Sequence, residues 1–176
     1  MSVAARVQLG LDPKDRLDPW RYADSLGILV FGAGDLDLDP KHAFQLLERD
    51  PSSWSGMMLF EDEVHVVVLN SSHVAVRQCS TLMHEIAHIL LDHTPANVQV
   101  SESGLILLSD YSDEQEEEAD WLGAALLLPE AALLDHRGSG KSIAEVAKLF
   151  GVSEDICAWR CRMTGVEKRL AYRRRA

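Results

Sequence analysis

The 176-residue chain contains no run of the roughly 20 apolar residues that a membrane-spanning helix needs. Its longest apolar stretch, residues 124–134, is interrupted by Pro129 and Glu130. The first twenty residues turn charged early and lack the long apolar segment of a secretory signal. We therefore expect a cytoplasmic protein that makes no contact with a membrane.

Cysteine is also scarce, with only Cys79, Cys157 and Cys161 in the chain. An odd number without a signal sequence favours free thiols in a reducing compartment over a disulfide framework. Cys157 and Cys161 stand four residues apart, a spacing that could hold a metal ion on a helix. Because no second cysteine or histidine pair lies nearby, buried thiols are the favoured interpretation.

Basic residues are fewer than acidic residues, which gives the chain a formal net charge of −11. This balance argues against direct nucleic-acid binding through a broad basic surface. Residues 142–165 have the helix, glycine, helix order of a DNA-binding unit, but Val146, Leu149 and Val152 also suit ordinary packing. We favour packing, and we expect the basic tail, residues 166–176, to solubilise the chain unless it contacts DNA or an acidic partner.

The pattern of apolar residues predicts a single α+β domain. Helices are expected over residues 12–27 and 40–50, and a β-hairpin over residues 55–70. Ser71 or Ser72 should cap a long helix that ends near His93, and after a loop a capping box at 112–115 should open the next helix. We predict a core over about 12–130, a helical subdomain over about 131–165 and the tail. Apolar residues make up 47% of the chain, which is enough for one core.

Residues 84–88 read HEIAH, and they fall within the long predicted helix. Residues four apart on a helix share a face, so His84 and His88 can offer nitrogens to one metal ion at about 2.0–2.1 Å. Glu85 would stand beside the metal, where it can take a proton from the attacking water. Both histidines lie off the apolar stripe of the helix, which favours a metal site over a chance match.

A catalytic zinc ion needs a third protein ligand. A histidine six residues after His88 is excluded because that position is Thr94. The remaining source is a carboxylate of the acidic run, residues 110–120, where Glu116 is favoured over Glu118. Asp120 follows Glu116 by one helical turn, so it could hydrogen-bond the outer nitrogen of a ligand histidine. Ala119 and Gly123 share that face, and their small size would let the two helices approach closely, whereas Glu117 and Glu118 should turn away.

Two sequence segments together resemble the ImmA/IrrE family of metallopeptidases: RQCSTLMHEIAHILLDH and EEEADWLGAALLLP. The weaker resemblance upstream and downstream extends over roughly residues 20–165. It implies a zincin-like fold, in which a small, mainly antiparallel sheet packs on the HExxH helix and C-terminal helices follow. The family pattern carries Glu116 into the ligand role. Ala87 stands where members of the family usually have the glycine of HExGH. Many members also have a histidine at the position of Asp92, whereas this chain has its histidine one residue later, at His93. The role of His93 therefore stays open, and we expect it to lie outside the ligand set.

The resemblance implies a zinc endopeptidase that cleaves a helix-turn-helix repressor of a mobile element or stress response, encoded nearby. Strand residues 63–70 could then offer an edge to an extended substrate. Two alternatives stay open: a zinc-binding partner that sequesters a repressor without cutting it, and the toxin of a toxin–antitoxin pair. Tyr111 and His136 are candidates for stabilising the oxyanion.

Overall fold

The computed structural model describes residues 1–61, 63–94, 97–100, 106–109 and 111–173. Within these ranges the chain is α+β, as predicted, with helices on both sides of the strands along the sequence. The elements in chain order are α1 Ser2–Gln8, α2 Pro19–Ser25, β1 Leu29–Gly32, α3 Pro40–Phe44, β2 Gly56–Glu61, β3 Val64–Leu69, α4 Ala75–Leu90, β4 Asn97–Val100, β5 Ile106–Ser109, α5 Asp113–Leu127, α6 Glu130–Gly138, α7 Ile143–Phe150, α8 Glu154–Thr164 and α9 Val166–Arg173.

The strands form one sheet in the order β1-β3-β2-β5-β4. Of the strand pairs in the described part of the chain, only β1–β3 is parallel, so the prediction of a mainly antiparallel sheet is confirmed. The predicted hairpin is β2 and β3, in which Met57 pairs with Val68. The hypothesis that β3 offers a free edge to a substrate is wrong, because β1 and β2 occupy its two sides.

A second hairpin, β4 and β5, lies where the sequence indicated only a loop. Each of its strands has four residues, too short a run for a two-residue alternation to stand out. We expected that loop because this part of the sequence contains Pro95 and Gly104, and both residues lie outside the described part of the chain. The hairpin extends the sheet beyond β2 on the side opposite β3.

Helix α4 carries the HEIAH run and packs against β2, β3, α2 and, most extensively, α5. Its core stripe is buried as predicted, with Leu82, Met83 and Ile86 fully inaccessible to solvent. The same apolar cluster takes in Val67 and Leu69 of the sheet and residues from each of α6, α7, α8 and α9. The C-terminal helices thus share a core with the helix that bears the motif.

The two predicted starts of the motif helices have different outcomes. Ser112 caps α5 in a capping box with Gln115, which confirms that prediction. The prediction that Ser71 or Ser72 caps α4 is wrong, since α4 begins after Val74 and has no side-chain cap. The Ser72 hydroxyl donates instead to Oδ1 of Asn70, which closes a turn before the helix can start.

The helix, glycine, helix unit is α7, Gly151 in the left-handed conformation and α8. Val146 and Val152 are buried in the common core, in accord with packing, whereas Leu149 is 48% exposed. All three cysteines are free and buried. Among the described residues no helix combines the length and apolarity needed to cross a bilayer. The basic tail begins with α9, and residues 174–176 lie outside the described part of the chain.

Candidate metal centre

Two imidazole rings face each other across one turn of α4. Nε2 of His84 lies 3.0 Å from Nε2 of His88, and the ring centroids are 4.7 Å apart. The helix itself produces this arrangement, because residues four apart stand one above the other. One of these nitrogens can donate an N–H to the other, whereas two lone pairs would repel each other unless a cation lay between them.

Helix α5 supplies the third group. Glu116 Oε2 lies 3.1 Å from His84 Nε2, and its Oε1 lies 3.7 Å from His88 Nε2. The three donor atoms all lie within 4.8 Å of one another. Two imidazole nitrogens and one carboxylate form a donor set that suits a catalytic zinc ion, which takes three protein ligands and leaves one position open. The residues present therefore fit a metal ion.

The close approach of α4 and α5 depends on small residues. Ala119 and Gly123 are buried at the contact, as the sequence predicted. A Cβ atom added at Gly123 would lie 3.3 Å from the Met83 carbonyl oxygen, so a larger residue would push the helices apart. This spacing lets Glu116 reach both histidines.

The outer nitrogen of His84 is held by Asp120, whose Oδ1 lies 2.9 Å from His84 Nδ1. Since a carboxylate only accepts hydrogen bonds, His84 Nδ1 carries the hydrogen and its Nε2 keeps a free lone pair. Asp120 can make this contact because it lies one helical turn after Glu116 on the same face of α5. It leaves the correct nitrogen available to a metal ion.

The outer nitrogen of His88 is held by a series of hydrogen bonds that the sequence did not reveal. His88 Nδ1 lies 3.0 Å from His93 Nδ1, and His93 Nε2 lies 3.1 Å from Glu118 Oε2. Glu118 accepts from His93 Nε2, so His93 Nδ1 accepts from His88 and the lone pair of His88 Nε2 is free. His93 thus lies outside the donor set, as expected, but the prediction that Glu118 turns away from the site is wrong.

A turn at the end of α4 brings His93 back against His88. Asp92 adopts the left-handed conformation with φ 55°, and the backbone N–H of His93 donates to the carbonyl of His88. The N–H of Asp92 donates to Ile89, which completes a Schellman motif. Glycine or asparagine usually occupies this left-handed position after the end of a helix. Because the residue here is an aspartate, the turn could not be predicted from the sequence.

Burial keeps His88 neutral. Its side chain is 1% exposed, and this desolvation, with the neighbouring His84 and His93, lowers its pKa to about 3. Desolvation also raises the pKa of Glu85 to about 7; nearby His84 opposes that shift and Glu116 adds to it. A carboxyl group with a pKa in this range can both accept and release a proton near neutral pH.

The strand β2 covers Glu85 at Gly56. A Cβ atom added there would lie 2.7 Å from Cγ2 of Thr81 and 3.5 Å from Oε1 of Glu85. Glycine is therefore required for the strand to approach the helix so closely. No pattern in the sequence singled out this position.

Tyr111 covers the other side of His88, with ring centroids 3.9 Å apart in a stacked arrangement. Its hydroxyl is buried and has no hydrogen-bond partner among the described residues. Burial, with the charges of Glu85 and Glu116, raises the pKa of Tyr111 to about 12, so the hydroxyl stays a donor. The other candidate, His136, packs edge-on against Phe150 in the C-terminal helices.

The comparisons agree with the geometry. A family model, Peptidase_M78, described as the IrrE N-terminal-like domain, matches residues 40–162. A comparison with curated proteins finds no significant match. The family match covers more than half of the chain and includes α4 and α5, which bear the candidate metal ligands. The chain therefore belongs to the IrrE N-terminal-like family and is a metallopeptidase of the ImmA/IrrE type.

Proposed function

We propose that this protein is a zinc-dependent endopeptidase that cleaves a regulatory protein, namely a helix-turn-helix repressor of a mobile element or stress response. The observation that carries the proposal is the convergence of His84, His88 and Glu116, with Glu85 beside them on the same helix. Two histidines and one glutamate favour zinc over the harder cations, which prefer all-oxygen ligand sets.

In this proposal His84, His88 and Glu116 hold the zinc ion, and Asp120 and His93 fix the orientation of the two imidazoles. Zinc bound there would supply a Lewis acid for the scissile carbonyl. Glu85 takes a proton from the attacking water and delivers it to the leaving amine. The hydroxyl of Tyr111, which has no partner among the described residues, donates a hydrogen bond toward the negative charge that develops on the carbonyl oxygen.

The charge of the chain supports a basic partner. Next to the candidate metal ligands, α5 presents the exposed side chains of Glu114 and Glu117, and the net charge is −11. A DNA-binding repressor carries a basic surface, so the two proteins would attract each other. The identity of the partner as a repressor rests on the family resemblance.

The proposed function can be tested by co-expressing the protein with repressors encoded nearby. We expect the wild type to cleave its repressor and Glu85→Gln to lose about 10²–10⁴-fold in cleavage rate while it still binds zinc. Mass spectrometry of the repressor gives the fragments, and isothermal titration gives the zinc affinity. Glu48→Gln is the matched control because it changes an exposed glutamate that lies outside α4 and α5.

Two outcomes would contradict the proposal. If the wild type and Glu85→Gln relieve repression equally and the repressor stays intact, the protein acts by sequestration. If expression of the protein alone arrests growth and a neighbouring repressor-like protein prevents the arrest without being cut, the protein is a toxin.

A further inference from the structure

A cavity of about 170 Å³ lies beside the candidate metal centre, between α4, α5 and α8. Its lining includes Ser80, His84, Asp120, Ala124, Ile156 and Trp159. We refer to it as the α8 pocket. His84 and Asp120 belong both to this lining and to the metal centre, so the pocket adjoins the place where the scissile bond would lie.

Several polar groups of the α8 pocket have partners within the protein, and the Asp120 side chain is 72% exposed, so its second carboxylate oxygen stays in contact with water. The Ser80 hydroxyl donates to the carbonyl of Val76 at 3.1 Å. His84 Nδ1 and Asp120 Oδ1 hydrogen-bond each other at 2.9 Å. The remaining walls, among them Ile156 and Trp159, are apolar. A polar side chain would lose its hydration there with little in return, so the pocket selects an apolar one.

The walls of the pocket are held in place from behind. The Trp159 ring packs edge-on against Trp121 at 5.2 Å between centroids, and the Arg160 guanidinium lies over Trp121 at 5.9 Å. On the opposite wall, Leu127 is 3% exposed and belongs to the common core. The cavity is therefore a formed feature of the fold that does not require a large rearrangement to accept a ligand.

The volume sets the size of the occupant. A protein cavity of roughly 150 Å³ with apolar walls holds one benzene molecule. The α8 pocket is slightly larger, at about 170 Å³. A leucine, methionine or phenylalanine side chain would fill most of it, whereas glycine or alanine would leave it empty.

We propose that the α8 pocket binds an apolar side chain of leucine, methionine or phenylalanine size, next to the scissile bond of the protein substrate. This inference rests on the proposed peptidase function and specifies the substrate of that site. It also gives the C-terminal helices a function beyond packing, because α8 contributes Ile156 and Trp159 to the wall.

The test uses the zinc-loaded full chain and hydroxamates, whose affinity is measured by isothermal titration. Acetohydroxamate, which has no side chain, probes the metal centre alone. A peptidyl hydroxamate series with hydrogen, methyl, isobutyl or benzyl as the adjacent side chain probes the pocket. We expect the isobutyl and benzyl compounds to bind about 10- to 100-fold more tightly than the hydrogen compound.

Two variants assign that gain to the α8 pocket. Ala124→Phe should fill the pocket and abolish the gain without weakening acetohydroxamate binding. Ala144→Phe, the same change at an exposed position of α7, should keep the gain. Ile156→Ala should enlarge the pocket and shift the preference toward a naphthylmethyl side chain, which provides a second test if Ala124→Phe fails to fold.

The outcomes separate this inference from the proposed function. If acetohydroxamate binds and the wild type shows equal affinity across the series, the pocket inference is overturned and the metal centre stands. The pocket inference is also overturned if Ala124→Phe folds and retains the gain. If acetohydroxamate fails to bind the zinc-loaded protein, the proposed function is overturned, and this inference with it.

Discussion

The α4–α5 pair and the α7–α8 pair show how differently two helix contacts in one protein can be built. Where α4 meets α5, imidazoles and a carboxylate face one another, and only small residues such as Ala119 and Gly123 separate the backbones. Where α7 meets α8, both helices bury apolar residues, among them Val146, Phe150 and Cys157. The first contact positions reactive groups, and the second contributes apolar burial.

The difference has an energetic meaning. His88 is as inaccessible to solvent as most core residues, yet it is polar and needs two partners for its nitrogens. One partner is His93, and the other nitrogen faces His84. Such a contact stabilises the fold less than an apolar one would, since burial of polar groups offsets their hydrogen bonds. Changes in the two pairs should therefore affect different quantities.

The largest effect on folding is expected from Leu133→Ala in α6. Leu133 is fully buried in the core that all the C-terminal helices share. We expect the free energy of unfolding to fall by about 2–5 kcal/mol, with no change in zinc affinity. Urea denaturation and isothermal titration measure the two quantities. Leu149→Ala is the matched control, since Leu149 is 48% exposed. A parallel loss of zinc affinity in Leu133→Ala would show that the two regions are coupled.

A smaller free-energy change, in metal binding rather than folding, is expected from Asp120→Ala. The substitution removes the carboxylate that orients His84. We expect zinc affinity to fall about 10- to 100-fold, whereas the stability of the metal-free protein should change by less than about 0.5 kcal/mol because Asp120 is exposed. Glu117→Ala, on the same helix, should leave zinc affinity unchanged. Equal zinc affinity in Asp120→Ala and Glu117→Ala would refute the role of Asp120.

The smallest effect is expected from Ser142→Ala at the start of α7. Ser142 and Glu145 form a capping box, in which the serine hydroxyl accepts from the backbone N–H of Glu145 at 3.2 Å. We expect a loss of about 1 kcal/mol in the free energy of unfolding, and only a few tenths for Ser142→Gly. Thermal or urea denaturation measures both. Equal losses in the two variants would mean that the cap contributes nothing specific.

The parts of the site that lie on one helix could be predicted because helical periodicity is a local property. His84 and His88 share a face, and Glu116 and Asp120 share another, wherever those helices pack. The capping box at Ser112 and the hairpin of β2 and β3 are equally local. In contrast, the β4–β5 hairpin and the start of α4 were missed, because short strands and an Asn70-based turn leave weak sequence patterns.

The sequence by itself determined that two histidines and a glutamate would project from two amphipathic helices, because a 3.6-residue repeat places them. Only the tertiary structure decided what surrounds them. It brought His93 and Glu118 into a series of hydrogen bonds that begins at the outer nitrogen of His88. It also stacked Tyr111 on the His88 ring and placed α8 beside His84. These contacts join residues from different elements. Their distances are set by how closely the helices pack, which no local pattern encodes.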